Sequence, residues 1–248
     1  MTANIPAEWG KGLKIRARKG YGFQVDDIDN NFSVYPAGDM TALFREPEIH
    51  ALESLAKYLA QSAGHKKLLS LPSSVGCEGY SLAAIFNTHA VPGASLSLEL
   101  CDISEKKLRA AETGIYPSDF AKTIPKAYKA HFQNDDKLLK VRSGLKEMVS
   151  TLPATDVLDM TMPEESYDAI TSLNLFYYLK TRENKVKAAQ KLAQATDNML
   201  CISHGIRRSF EEDGDAVRQA ILAEGFHEDT KFYTRYDAYI AQVFVKEP

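Results

Sequence analysis

Apolar residues recur along this chain with two different periods, and the switching between them outlines the fold. Residues 13–18 (LKIRAR) alternate apolar with basic, the period of a half-buried strand with a solvated Lys/Arg face. From Glu46 to Ala63 the period lengthens, and Ile49, Leu52, Leu55, Ala56 and Leu59 fall on one helical stripe. Lys67–Pro72 is a short apolar strand that runs into a glycine-containing loop. Residues 80–90 predict a helix, Ser95–Cys101 a strand, and Ser104–Thr113 a helix with Ser104 as its N-cap. Strand and helix in strict alternation imply parallel strands joined by crossovers.

Further along, residues 117–132 predict a helix and 137–149 a short strand hairpin or irregular excursion. Tyr167–Leu173 and Asn198–Ser203 predict strands, Glu183–Ala195 and 210–224 helices. Two runs rich in aromatic and β-branched residues follow, Lys231–Tyr236 and Tyr239–Lys246. Only Asp237 and Ala238 separate them, which suggests an antiparallel hairpin. The expected domain plan is a short N-terminal extension over 1–45 and one α/β domain over 46–248, with a small excursion near 133–150.

Bulk properties narrow the function classes. With 248 residues the chain can bury a large single core, and its 44% hydrophobic and 25% charged content is ordinary. A net charge of −3 gives no electrostatic case for nucleic acid, and no apolar run approaches the ~20 residues of a membrane span. The three cysteines, Cys77, Cys101 and Cys201, are widely spaced and form no metal-binding pattern. The expectation is a cytoplasmic, metal-free protein without membrane insertion.

Two features sit where an open α/β sheet binds ligands, beyond the C-terminal ends of its strands. One is the loop Ser73-Ser74-Val75-Gly76-Cys77-Glu78-Gly79; the other is Asp102, roughly 20 residues further on, where a carboxylate accepts from ribose hydroxyls. A dinucleotide would lay its pyrophosphate against the loop and helix N-terminus, where Glu78 would repel it. The ammonium and sulfonium of S-adenosylmethionine (SAM) are cationic and suit Glu78. Glu78 as a simple helix-capping acid and Asp102 as an ordinary strand-end residue are the alternatives.

Four stretches carry a resemblance to a known family. Thr41-Ala-Leu-Phe-Arg45-Glu46 is similar to T-x-F-F-R-E, and Gly76-Cys-Glu78-Gly-Tyr80-Ser81 to G-E-E-P-Y-S. Cys101-Asp102-Ile103 through Gly114-Ile115-Tyr116 is similar to S-D-I followed by A-x-x-G-x-Y, and Asn174-Leu-Phe-Tyr-Tyr178 to N-V-x-I-Y. In this order and spacing they resemble the CheR family, methyltransferases that use SAM on receptor glutamates. The resemblance implies a Rossmann-like class I methyltransferase fold, a mostly parallel seven-stranded sheet ending in an antiparallel hairpin. It implies SAM as cofactor, S-adenosyl-L-homocysteine as product, and a protein carboxylate as acceptor.

Residue by residue, it places Thr41 and Arg45 at the methionine end of SAM, with Gly76 and Glu78 around the amino group. Asp102 and Ile103 fall at the ribose, Asp156 and Val157 at the adenine, Asn174 and Leu175 near the methyl donor. Arg45 and Tyr178 match positions that orient the acceptor carboxylate. Arg45 could instead pair with Glu46 or Glu48 on the surface, and Tyr178 could be a core aromatic beside Phe176 and Tyr177. The sequence departs from the family at Leu173, where the family has Arg. It departs too in its first 40 residues, which read as extended where the family carries helices. Other readings are a small-molecule methyltransferase, a non-catalytic SAM-binding sensor or scaffold, and an α/β-hydrolase. The hydrolase would use Ser81 as nucleophile, with Asp159 and His204 following in chain order. His204 alternatively faces the acceptor pocket or is a plain loop histidine.

Overall fold

The structure, a computed structural model, describes residues 2–4, 13–17, 23–27, 32–34, 42–45, 48–135, 138–203, 207–229, 234–236 and 239–246. Thr41, Glu46 and His204 lie outside the described residues. Four short strands open the chain: β1 (Thr2–Asn4), β2 (Leu13–Ala17), β3 (Phe23–Asp27) and β4 (Phe32–Val34). They pair antiparallel in sequence order, so the alternation does mark a strand over Leu13–Ala17, Arg18 lying outside the described residues.

The main body begins with α1 (Ile49–Ala60), β5 (Gly64–Ser70), α2 (Cys77–His89), β6 (Ala94–Leu100) and α3 (Glu105–Thr113). Helix α1 buries Ile49, Leu52, Leu55 and Leu59, each worth about 1.5–3 kcal/mol in apolar burial. Ser104 caps α3 by accepting from the Lys107 N–H, and Gly114, at φ 59°, ends it.

A small antiparallel sheet interrupts the alternation. Its strands are β7 (Ile115–Pro117), β8 (Phe132–Asn134) and β9 (Leu138–Val141), with β9 in the middle. The helix expected over 117–132 is instead two 3-10 helices, Ser118–Thr123 and Lys126–His131. Pro125 separates them, because its ring and missing N–H forbid a continuous α-helix there. The short helix α4 (Ser143–Lys146) then leads to β10 (Val149–Thr151), which returns to the main sheet.

The second half comprises β11 (Tyr167–Leu173), α5 (Leu175–Tyr178), α6 (Arg182–Ala195), β12 (Thr196–Ser203) and α7 (Arg207–Leu222). It ends with β13 (Phe226–Glu228), β14 (Thr234–Tyr236) and β15 (Tyr239–Lys246). The main sheet runs β10-β6-β5-β11-β12-β15-β13, with β14 also paired to β15. Its first five strands are parallel; β15 pairs antiparallel with β12, β13 and β14. Tyr236 faces Tyr239 across the expected hairpin.

Neighbouring residues on each strand enter opposite cores, as a pleat requires. Leu68, Ala169 and Cys201 join α1, α2 and the small sheet on one face; Leu69, Ile170 and Leu200 join α6 and α7 on the other. Both faces are covered, which explains the near-continuous burial of β11. Among the described residues no helix is long and apolar enough to cross a membrane.

Candidate functional site

The loop from β5 to α2 is shaped by two glycines. Gly76 stands at φ 83°, a left-handed conformation that lets the chain turn directly into α2, with its N–H donating to Ser73 O. Gly79 lies one turn later, where a Cβ would come within 2.5 Å of Leu100 Cδ2. The helix therefore seats its first turn flush against β6. Tyr116 donates its hydroxyl proton to Val75 O, and Tyr80 donates to Ala111 O, fixing the loop from below.

Asp102 follows β6 and is almost completely buried. Its Oδ2 accepts from the Ser74 N–H and its Oδ1 from the Ser104 N–H, both at 2.9 Å. Each carboxylate oxygen has a second lone-pair site, so Asp102 holds the loop and still has acceptor capacity for ribose hydroxyls. Next to it Ile103 is 69% exposed, an apolar surface at the sheet's C-terminal end. The Asp102 carbonyl accepts from the Thr155 N–H, bringing the 155–160 segment to the same place. There Asp156 folds an Asx-type turn, its Oδ1 accepting from Leu158 N–H, while Val157 is buried.

A charge cluster stands opposite. Arg45 Nη2 lies 3.0 Å from Glu48 Oε1 and 3.6 Å from Glu78 Oε1. Their side chains are only 12%, 2% and 11% exposed respectively, so this is no surface ion pair. Burial pushes the Glu48 carboxyl above the usual carboxylate range, while Arg45's charge pulls it back partway. Glu48 Oε2 is buried without a hydrogen-bond partner. Glu48 is thus a buried carboxylate held by Arg45, a depth that one acid among several near Arg45 does not advertise in a sequence.

Asn174 initiates α5 in a left-handed conformation, φ 65°, with its N–H shared between Ser203 O and Ser203 Oγ at 3.1 Å. Leu175 behind it is buried. Tyr178 is 51% exposed and meets Tyr177 edge-on at 5.3 Å, so neither is a core aromatic; only Phe176 is. The described residues thus bring Arg45, Glu48 and Glu78 together, and Asp102 with the 155–160 turn.

Ser81 is 1% exposed, inside α2, donating its hydroxyl proton to Cys77 O and accepting from the Phe44 N–H. A nucleophile elbow requires an exposed serine on a tight turn, so the hydrolase reading fails. The residues fit SAM on three counts. A cation already sits beside Glu78, the glycines let the loop and first turn of α2 pack directly on β6 and so bring Glu78 to the strand ends, and the Ser73 Oγ in the loop is buried without a partner.

A family model described as "CheR methyltransferase, SAM binding domain" matches residues 39–206. The "Probable biofilm formation methyltransferase WspC" of Pseudomonas putida is 36% identical over 146 residues, 56% of this chain and 34% of that protein. The chain matches only about a third of that relative's length. Among solved structures, a SAM dependent methyltransferase from Aquifex aeolicus superimposes with a TM-score of 0.50 at 12% identity, over 82% of this chain and 94% of its own. A TehB-like SAM-dependent methyltransferase from Corynebacterium glutamicum gives 0.50 at 14%, over 80% and 89%. At those identities the likeness is one of fold: the Rossmann-like class I methyltransferase architecture.

Proposed function

The chain belongs to the CheR methyltransferase family, matched in its SAM-binding domain; from that premise we propose that it is a SAM-dependent methyltransferase whose acceptor is a carboxylate, the side chain of a protein glutamate. The observation that carries this reading is the Arg45 guanidinium, largely shielded from solvent and held beside Glu48 and Glu78. A guanidinium presents a rigid fork of N–H donors that matches a carboxylate.

SAM, when bound, supplies a methyl group on a sulfonium, which is reactive without further activation. A glutamate acceptor, with a free pKa of ~4.3, is already ionised at neutral pH, so no general base is needed. The chain's own residues then have to bind, align and exclude water. In this assignment Glu78 takes the ammonium, with Gly76 supplying the left-handed turn that places Glu78 in the first turn of α2. Asp102 holds the ribose hydroxyls with Ile103 beside it, Asp156 and Val157 border the adenine, and Asn174 and Leu175 close the pocket near the methyl. Thr41 would stand at the methionine end. Arg45 steers the acceptor carboxylate, and the half-exposed Tyr178 hydroxyl donates to it or shapes its path.

The test is transfer of tritiated methyl from SAM to glutamate-containing peptides, followed by mild alkali. Label released as methanol marks a methyl ester and supports the carboxylate acceptor. Alkali-stable label, or label that appears only on small-molecule acceptors, overturns it while leaving the cofactor reading intact.

A further inference from the structure

The segment between β10 and β11 crosses the sheet without a long helix or strand of its own, and its order comes from elsewhere. Its tightest part is one helical turn, in which Asp159 N–H and Met160 N–H both donate to Asp156 O. A turn that ends this soon leaves its last carbonyls without intrahelical donors. Lys191, on α6, supplies them: its Nζ donates to Leu158 O at 2.6 Å, Met160 O at 2.9 Å and Val157 O at 3.4 Å. An ammonium has three N–H donors, and here all three are used on one cluster of carbonyls. A positive charge at the carbonyl end of a helical turn is also electrostatically favourable.

The lysine is itself on a fixed base. Ala188, Ala189, Leu192 and Ala193 around it on α6 are fully buried against the sheet. At its other end the turn is tied to the cofactor loop's acid through Thr155 N–H and Asp102 O at 3.2 Å. A connected path therefore runs from α6 through Lys191 to the turn and on to Asp102.

We infer that Lys191 is a positioning residue for the adenine end of SAM, holding the backbone of residues 157–160 so that the Asp156–Val157 edge meets the base. This rests on the assignment of Asp156 and Val157 to the adenine. Lys191 touches neither cofactor nor acceptor; it acts through three carbonyls. Loss of the ammonium frees the turn without altering Glu78, Arg45 or the carboxylate of Asp102.

The experiment titrates wild type, Lys191→Met and Lys191→Arg calorimetrically with SAM, S-adenosylhomocysteine and adenosine. Hydrogen exchange of the amides at 155–160 is measured on the same samples. Methionine keeps the apolar stem and removes the donors; its affinity for all three ligands should fall about tenfold, with faster exchange across the turn. Arginine restores a cation with several donors and should recover most of both. Lys191→Met binding all three ligands as wild type does, or weakening SAM while leaving adenosine unchanged, overturns the inference. Wild-type protein that binds none of the three overturns the cofactor assignment instead, and the positioning role with it.

Discussion

The Phe44 N–H donates to Ser81 Oγ at 2.8 Å, and this one bond joins two sequence motifs that lie 37 residues apart. Ser81 accepts that proton while donating its own to Cys77 O, so a helix side chain fixes the backbone beside Arg45. Phe44 needs the help, because its φ is 51°, a left-handed conformation that costs a bulky residue about 1–3 kcal/mol. Its ring is stacked on Tyr128 with centroids 5.0 Å apart and meets Phe132 edge-on, which holds the turn from the other side.

Replacing Ser81 with alanine leaves the Phe44 N–H buried without its acceptor, at a cost of about 1–3 kcal/mol. The melting temperature should drop by several degrees. Methyl transfer should fall but persist, because the serine clamps Arg45's turn and does no chemistry. Complete loss of transfer with unchanged melting would sink this assignment.

Arg45→Ala should damage turnover far more than cofactor binding. Misdirecting the acceptor costs on the order of a hundredfold in kcat, whereas calorimetric affinity for SAM should shift only a few-fold. Unchanged turnover on an acceptor peptide would remove Arg45 from the acceptor site.

Glu48 should give the fold a particular pH signature. Burial raises its carboxyl above the ordinary range, so the folded state favours the protonated form. That contribution to stability is fully present below the unfolded pKa of ~4.3 and is lost as pH rises through the folded value. Glutamine cannot ionise, so the melting temperature of Glu48→Gln relative to wild type should rise between pH 4 and pH 8. A pH-independent difference would contradict the buried-carboxyl assignment.

Gly79→Ala should overpack the helix against β6, since the new Cβ would meet Leu100 Cδ2 at 2.5 Å. The cost should be about 1–3 kcal/mol, with weaker SAM binding as the loop is displaced. In a double-mutant cycle with Leu100→Ala the two losses should be less than additive. Strict additivity would mean that the pair do not press on one another.

Periodicity made the main sheet legible because its strands and helices obey their own patterns, and Tyr167–Leu173 matches its strand residue for residue. Helix α2 begins at Cys77, not at residue 80, because Gly79 looks like loop until its contact with Leu100 is known. The 3-10 helices around Pro125 were masked by a helix-like composition. In the site, Glu78 and Asp102 could be singled out by charge and spacing. Lys191 could not, since it is an ordinary helix lysine whose partners lie about 30 residues away or more, and Glu48 was visible only as a surface partner of Arg45, not as a buried one. Ser81 was visible but ambiguous, and only its depth within α2 turns a candidate nucleophile into a clamp.

The place of β15 sets a schedule for making the protein. It lies between β12 and β13 and supplies the second edge of β12, yet it comes last among the described strands. Ser203, which holds Asn174, pairs with Ala241 across that edge. A nascent chain can lay down the parallel strands and Asp102 before β15 exists. The Asn174 corner waits until residues 239–246 leave the ribosome, so a chain halted before them would carry the Ser73–Gly79 loop beside an unfinished Asn174 corner.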